Sequence, residues 1–271
     1  MDARPIGVFD SGLGGLTAVR QLMQQLPGEN IIYFGDTGRV PYGVRSAETI
    51  TKYTRQDIQF LLQFDIKAIV VACNTADAIA RTQVAGDYPV PIFGVAEPTA
   101  RAAAAATKNG KIGLIGTPAT IGTQIYERLM KDQNPNLQVH PVACPLLVPL
   151  VENGRIHPGD PVIETVVAEY LAPLRAWGCD TLILGCTHYP LLFEIISAYM
   201  GPAVKLIDSG REAARSVAAA LQSSALLSDA KTGGDCRYYV SDSTAGFTEM
   251  ASLFLQRAVD GQVERVDIDA Y

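Results

Sequence analysis

One pattern recurs along this 271-residue chain: a short run that is apolar at every position, a turn bearing Gly, Ser, Thr or Cys, and a longer segment with helical patterning. IGVFD (6–10) leads through SGLGG into 16–26, and NIIYFGD (30–36) leads through a loop into a long amphipathic run, 46–64. KAIVVAC (67–73) leads into 75–85, PIFGV (91–95) into the Ala-rich 98–107, and KIGLIGT (111–117) into 119–132. LQVHPV (137–142) leads through a loop into 160–177, DTLILGC (180–186) into 189–200, and VKLID (204–208) into 210–222. A strand with one wet face alternates apolar and polar residues, whereas a strand apolar throughout is covered on both faces. Such strands alternating with helices predict an α/β fold of parallel sheets flanked by helices.

The chain also repeats itself. IGVFDSG (6–12) recurs as IGLIGTP (112–118), and KAIVVACNT (67–75) as DTLILGCTH (180–188). Between the members of each pair lies a loop after a strand, GDTGRVPYG (35–43) in one case and PLLVPLVENG (145–154) in the other. Two similar domains are expected, 1–95 and 96–206. The remainder, 207–271, contains a helix, a strand CRYYVSD (236–242), a helix at 245–258 and a last strand near 262–268. It carries no third set of motifs and is expected to fold back onto the first domain. Ligands of open α/β sheets bind at the carboxyl ends of the strands. Every turn named above lies there, which places an expected active site in the cleft between the domains.

Composition removes several classes of function. A net charge of −6 gives no basic footprint for nucleic acid and no polybasic membrane surface. The N-terminus MDARPIGVFD has no charged region followed by an apolar core, and no apolar run approaches the roughly 18 residues that span a bilayer. The expectation is a cytoplasmic protein without a membrane or nucleic-acid partner. Five cysteines, none in a C-x-x-C pair, argue against a disulfide framework and a structural zinc site. SGLGG lacks the third glycine of a dinucleotide fingerprint and the lysine of a P-loop.

Cys73 and Cys186 stand apart from the other cysteines. Each ends an apolar strand and precedes a helix, Cys73 beside Asn74 and Thr75, Cys186 beside Thr187 and His188. Cys144, Cys179 and Cys236 lack this setting and read as small buried hydrophobes. His140 and His157 read as structural, and the second DSG (208–210) as a strand-to-helix cap. If the two domains face each other, two thiols meet one small molecule from opposite sides. One thiolate can then remove a proton from carbon while the other thiol delivers one, which inverts the carbon. An ordinary thiol has a pKa of about 8.5, so forming the thiolate at pH 7 costs roughly 2 kcal/mol. Nearby donors or a helix N-terminus reduce that cost.

GVFDSGLGGLTAVRQL, YFGDTGRVPYG, ACNTA, GVAEP, CPLLVPLVE and LGCTHYPLL, in this order, resemble the glutamate racemases of the aspartate/glutamate racemase superfamily over nearly all of 5–210. The resemblance implies cofactor-independent interconversion of L- and D-glutamate, without pyridoxal phosphate or metal, to supply peptidoglycan. It implies Cys73 as the residue acting on D-glutamate and Cys186 as the one acting on L-glutamate. Asp10, Glu152 and His188 are implied as polar helpers of the thiols. Asp10, Ser11, Pro41, Tyr42, Gly43, Asn74, Thr75, Thr187 and His188 are implied as substrate-binding, with Thr117 and Thr120 as further hydroxyls on the substrate side. It also implies a homodimer. Asp77, where a small residue is expected, and Gly38, where Ala is commoner, depart from the pattern, and 207–210 onward matches loosely.

Three rivals remain open at this point. An aspartate racemase of the same superfamily differs in the substrate it turns over. A two-lobed amino-acid-binding protein would bind without exchanging the α-proton. A thiol redox protein would need Cys73 and Cys186 at disulfide distance, closer than a substrate carbon between them permits.

Overall fold

The structure is a computed structural model that describes residues 2–259 and 263–271. The chain forms two compact units, one from the segment ending at Val95 together with Gly210–Tyr271, the other from Ala96–Ser209. Ten strands run through the described residues: β1 (Ile6–Asp10), β2 (Ile31–Gly35), β3 (Ala68–Val71), β4 (Ile92–Phe93), β5 (Lys111–Gly116), β6 (Gln138–Ala143), β7 (Thr181–Gly185), β8 (Lys205–Asp208), β9 (Cys236–Val240) and β10 (Val263–Arg265).

The first unit has one sheet of order β10-β9-β2-β1-β3-β4, and the second has one of order β6-β5-β7-β8. Every pairing is parallel. The order β2-β1-β3-β4 is matched strand for strand by β6-β5-β7-β8, so the sequence repeat is a repeat of topology. The C-terminal segment extends the first sheet, β9 pairing with β2 from Ile31–Cys236 to Gly35–Val240. Residues 207–209, placed with that segment on sequence grounds, fall in the second unit, because β8 runs to Asp208 beside β7. Residue 262, at the start of the expected last strand, lies outside the described residues.

β1, β2, β3 and β7 are buried at every position, as their apolar sequences require. In the first unit Phe9, Phe34, Ile69 and Val71 pack with Ile50, Ile58 and Leu61 of the helix Ala47–Leu61. Burying each such side chain contributes about 1.5–3 kcal/mol. The helix begins at Ser46, whose side chain accepts the Thr49 N–H at 3.2 Å. In the second unit Ala100 and Ala103 of the helix Ala96–Ala106 pack in one cluster with Leu114 and Ile183. The alanine run therefore supplies packing as well as helix propensity, since small side chains bring a helix close to its sheet.

Three segments differ from the expected pattern. The helix expected over 75–85 is interrupted by a π turn, Asp77–Arg81. Asp77 pairs with Arg81 and accepts the Val95 N–H at 2.7 Å, across Gly94, where an added Cβ would lie 2.1 Å from Asp77 Oδ1. The unexpected carboxylate thus ties the wide turn to the end of β4. The helix expected over 119–132 breaks at Thr123–Gln124, with Gln124 at φ 54°. Thr123 Oγ1 donates to the Thr120 carbonyl at 2.7 Å and accepts the Ile125 N–H at 3.2 Å, replacing helical bonds with side-chain ones. Finally, PLLVPLVENG is not a loop throughout, because Leu147–Glu152 is a short helix.

Candidate active site

The strand ends of the first unit gather Asp10, Ser11 and Cys73. Asp10 closes β1, fully buried, and its Oδ2 accepts the Gly12 N–H at 3.1 Å. The glycines of SGLGG permit this closeness: a Cβ on Gly15 would lie 2.4 Å from Asp10 Cβ. Tyr33 donates to the Gly12 carbonyl at 2.6 Å from below the turn. Cys73 follows β3 at the start of the Asn74–Ala76 turn, where Asn74 and Thr75 are buried. Its Sγ donates to Ser11 Oγ at 3.5 Å. Burial and then the Asp10 carboxylate push the Cys73 thiol up to about 12, against hydrogen bonds from Ser11 and Ala76 that favour the thiolate.

Pro41 is exposed and leads into a 3₁₀ turn, Tyr42–Val44, that packs against Asn74–Ala76. The Tyr42 hydroxyl is buried on Asp36 and Asp57 rather than presented to a ligand, so only the backbone of Tyr42 and Gly43 can face one. Asp36, Arg39 and Asp57, none of them singled out on sequence grounds, anchor this turn from beneath.

The second unit repeats the arrangement. Gly116, closing β5, lies opposite Ala143 of β6 and Gly185 of β7. Thr117, Cys144 and Cys186 therefore follow three adjacent strand ends. Thr117 caps the helix Pro118–Gly122, accepting the Thr120 N–H at 3.2 Å, and its hydroxyl donates to Thr120 Oγ1 at 3.0 Å. Cys186 is buried, with His188 Nδ1 3.8 Å from its Sγ and 3.3 Å from Thr187 Oγ1. His188 Nε2 lies 3.0 Å from Glu152 Oε1, at the end of Leu147–Glu152. A chain of polar groups thus runs Cys186–His188–Glu152. Burial would lower the imidazolium, but hydrogen bonds and charge from Cys186 and Glu152 outweigh it and raise His188 to about 10. His188 is protonated at neutral pH and sets a positive charge beside Cys186. Cys144 is buried against the same strand ends, and burial and then Cys186 push its thiol up to about 12.

The His188 proton has a measurable consequence. Its ordinary value is 6.5 and its folded value about 10, so the stabilisation is complete below pH 6.5 and is lost as pH rises through about 10. His188→Gln should remove this component. The stability difference between wild type and variant, from urea unfolding, should shrink from pH 6.5 to 10; a difference independent of pH would contradict it.

Two α/β units of matched topology each carry a buried thiol after the strand that flanks the leading strand. Residues 6–217 match the sequence profile of the Asp/Glu/Hydantoin racemases. The whole chain is 46% identical to the glutamate racemase of Geobacter metallireducens, spanning 100% of this chain and 99% of that protein. The crystal structure of glutamate racemase isoform RacE1 from Bacillus anthracis aligns at a TM-score of 0.93 and 38% identity, covering 98% of this chain and 99% of that one. Glutamate racemase from Francisella tularensis, solved in complex with D-glutamate, aligns at 0.91 and 39%, covering 100% of each. The chain belongs to the Asp/Glu/Hydantoin racemase family and is an isomerase.

Proposed function

We propose that this protein interconverts L-glutamate and D-glutamate without a cofactor, with Cys73 and Cys186 working on opposite faces of the α-carbon. The observation that carries the reading is the repeated thiol, at the same topological position in two sheets that share a four-strand order. The name and the bound D-glutamate of its relatives support glutamate as the substrate.

From L-glutamate, the Cys186 thiolate takes the α-proton and becomes a thiol. The electron pair passes to the α-carbon and its carboxylate, and the Cys73 thiol returns a proton from the other face, leaving a thiolate. From D-glutamate the roles reverse. The raised Cys73 and His188 values fit proton delivery from Cys73 and a positive charge beside Cys186. Charge that develops on the α-carboxylate needs fixed donors, which carry much of such catalysis. Ser11, Asn74, Thr75, Thr117, Thr120 and Thr187, with the Pro41–Gly43 turn, supply them around helix starts. Asp10, Glu152 and His188 tune the thiols without touching the α-proton. In the cell the product is D-glutamate for peptidoglycan, made in the cytoplasm by a homodimer.

Circular dichroism of each amino acid, with no pyridoxal phosphate and with a chelator present, tests this directly. Both glutamate enantiomers should lose optical activity while L-aspartate keeps it. Aspartate turnover equal to or above that of glutamate would assign the other substrate, and dependence on a cofactor or metal would end the two-thiol reading.

A further inference from the structure

Beneath the Tyr42 turn lies a cluster of ionisable groups that the proposed chemistry does not use. Asp36 and Asp57 are fully buried and Arg39 is largely so. Arg39 Nε donates to both oxygens of Asp36 at 2.9 and 2.7 Å, Nη2 to Asp57 Oδ1 at 3.1 Å, and Nη1 to Gln56 Oε1 at 2.6 Å. The guanidinium is fixed over the Tyr53 ring, 4.0 Å from its centre. Ser241 Oγ accepts the Gly38 N–H at 2.8 Å and donates its own proton to Asp36 Oδ1 at 2.8 Å. The Tyr42 hydroxyl meets both acids, in a short contact with Asp36 Oδ2 and at 3.0 Å from Asp57 Oδ2.

Counting protons decides which acid is ionised. A phenol has one proton and can satisfy one of these two contacts; the other needs a proton from a carboxyl group. Both oxygens of Asp36 already accept, from Arg39 and Ser241, so Asp36 is the carboxylate and takes the Tyr42 proton as well. Asp57 accepts only from Arg39, on Oδ1, and its Oδ2 faces the Tyr42 oxygen with no proton between them unless Asp57 supplies it. One guanidinium, moreover, cannot compensate two buried carboxylates.

We infer that Asp57 is a neutral carboxylic acid that donates to Tyr42 and so positions the Pro41–Val44 turn against the substrate. This rests on the proposed function for the substrate side of the turn. The charged and titratable groups around Asp57 are Asp36, Arg39, Tyr42 and Asp10. Burial and then Asp36 push its carboxyl well above the usual range, Arg39 and, only where Tyr42 is the donor, the Tyr42 bond oppose them, and Asp10 adds to the rise. The turn reaches the site directly: it packs on Asn74–Ala76 after Cys73, and Val40 lies against Gly12, where an added Cβ would come within 3.1 Å of it. A neutral Asp57 also spares the Asp10 and Cys73 region a further negative charge.

Asp57→Asn keeps the donor, as an amide N–H, and keeps an acceptor for Arg39. Its kcat and KM for glutamate should stay within about twofold of wild type, whereas Asp57→Leu, which leaves Tyr42 and Arg39 each short of a partner, should raise KM roughly five- to tenfold with a smaller change in kcat. Infrared difference spectra at pH 7, on protein labelled with carbon-13 at the aspartate carboxyls, supply a readout without turnover. Wild type should show the carbonyl stretch of a protonated acid that Asp57→Asn lacks. No such difference, or an Asn variant as impaired as the Leu variant, overturns the inference. If wild type turns over no glutamate, the proposed function fails and the infrared comparison still decides where the proton lies. If Asp57→Leu does not fold, the Asn variant and the infrared spectra decide alone.

Discussion

Cys186→Ser and Cys73→Ser should each lose about 10²–10⁴-fold in net racemisation, the usual worth of a positioned proton-transfer group, and yet fail in opposite ways. Serine can still donate a proton, but its hydroxyl is a far weaker base than a thiol at neutral pH. Cys186→Ser should therefore be impaired chiefly in taking the proton from L-glutamate, and Cys73→Ser in taking it from D-glutamate. Racemisation needs both residues, so both variants lose net turnover. An analogue with a leaving group on the β-carbon separates the two steps, because elimination follows deprotonation and no reprotonation at the α-carbon is needed. On that analogue each variant should keep activity toward one enantiomer and lose it toward the other. Equal losses on both enantiomers in both variants would leave the thiols as residues that only shape the pocket.

The largest effect on stability is expected far from the thiols. Lys67, just before β3, is fully buried, with its Nζ 2.5 Å from Glu29 Oε2 and donating to the Asp2 and Leu226 carbonyls at 2.7 and 2.8 Å. Glu29 Oε1 accepts the Ser228 N–H at 2.7 Å. One ammonium group thus ties the chain start, the β1–β2 connection and the segment after the Ser209–Ser223 helix to the base of the first sheet. Lys67→Met leaves the Glu29 carboxylate buried without its cation, which costs about 3–5 kcal/mol in such pairs. Adding Glu29→Leu should recover much of that loss, since the penalty lies in the orphaned charge. Urea unfolding of the single and double variants measures it. A loss below about 1 kcal/mol for Lys67→Met would place the pair among weak, screened ones.

The layout of the sheets was legible because strands buried on both faces leave continuous apolar runs, as IGVFD and TLILG do. The two thiol turns were legible because each is attached to such a run. His188 drew notice from its place two residues after Cys186, and Glu152 only from resemblance; the contact between them was not legible, because they lie 36 positions apart and it depends on a short helix, Leu147–Glu152, that the prolines of PLLVPLVENG disguised as loop. Asp57 carries a readable signal in the sequence. It sits on the apolar face of 46–64 with Ile50, Ile58 and Leu61, where a carboxylate needs a partner. That partner, Arg39, belongs to a loop whose path no local pattern encodes. The π turn at Asp77–Arg81 was hidden for a similar reason, since its tie to Val95 spans a strand and a turn.

The central claim is that a proton leaves the α-carbon of glutamate on one face and another arrives on the opposite face. Wild-type protein incubated with L-glutamate in deuterated water, without added cofactor, tests it most directly when optical rotation and α-deuterium are followed together. D-glutamate formed at early times should carry deuterium at the α-carbon in nearly every molecule, while remaining L-glutamate should carry little, because the proton is removed by Cys186 and replaced from Cys73 already exchanged with solvent. D-glutamate that appears with its original α-proton retained, or deuterium that enters L-glutamate as fast as D-glutamate forms, would contradict two thiols acting from opposite faces.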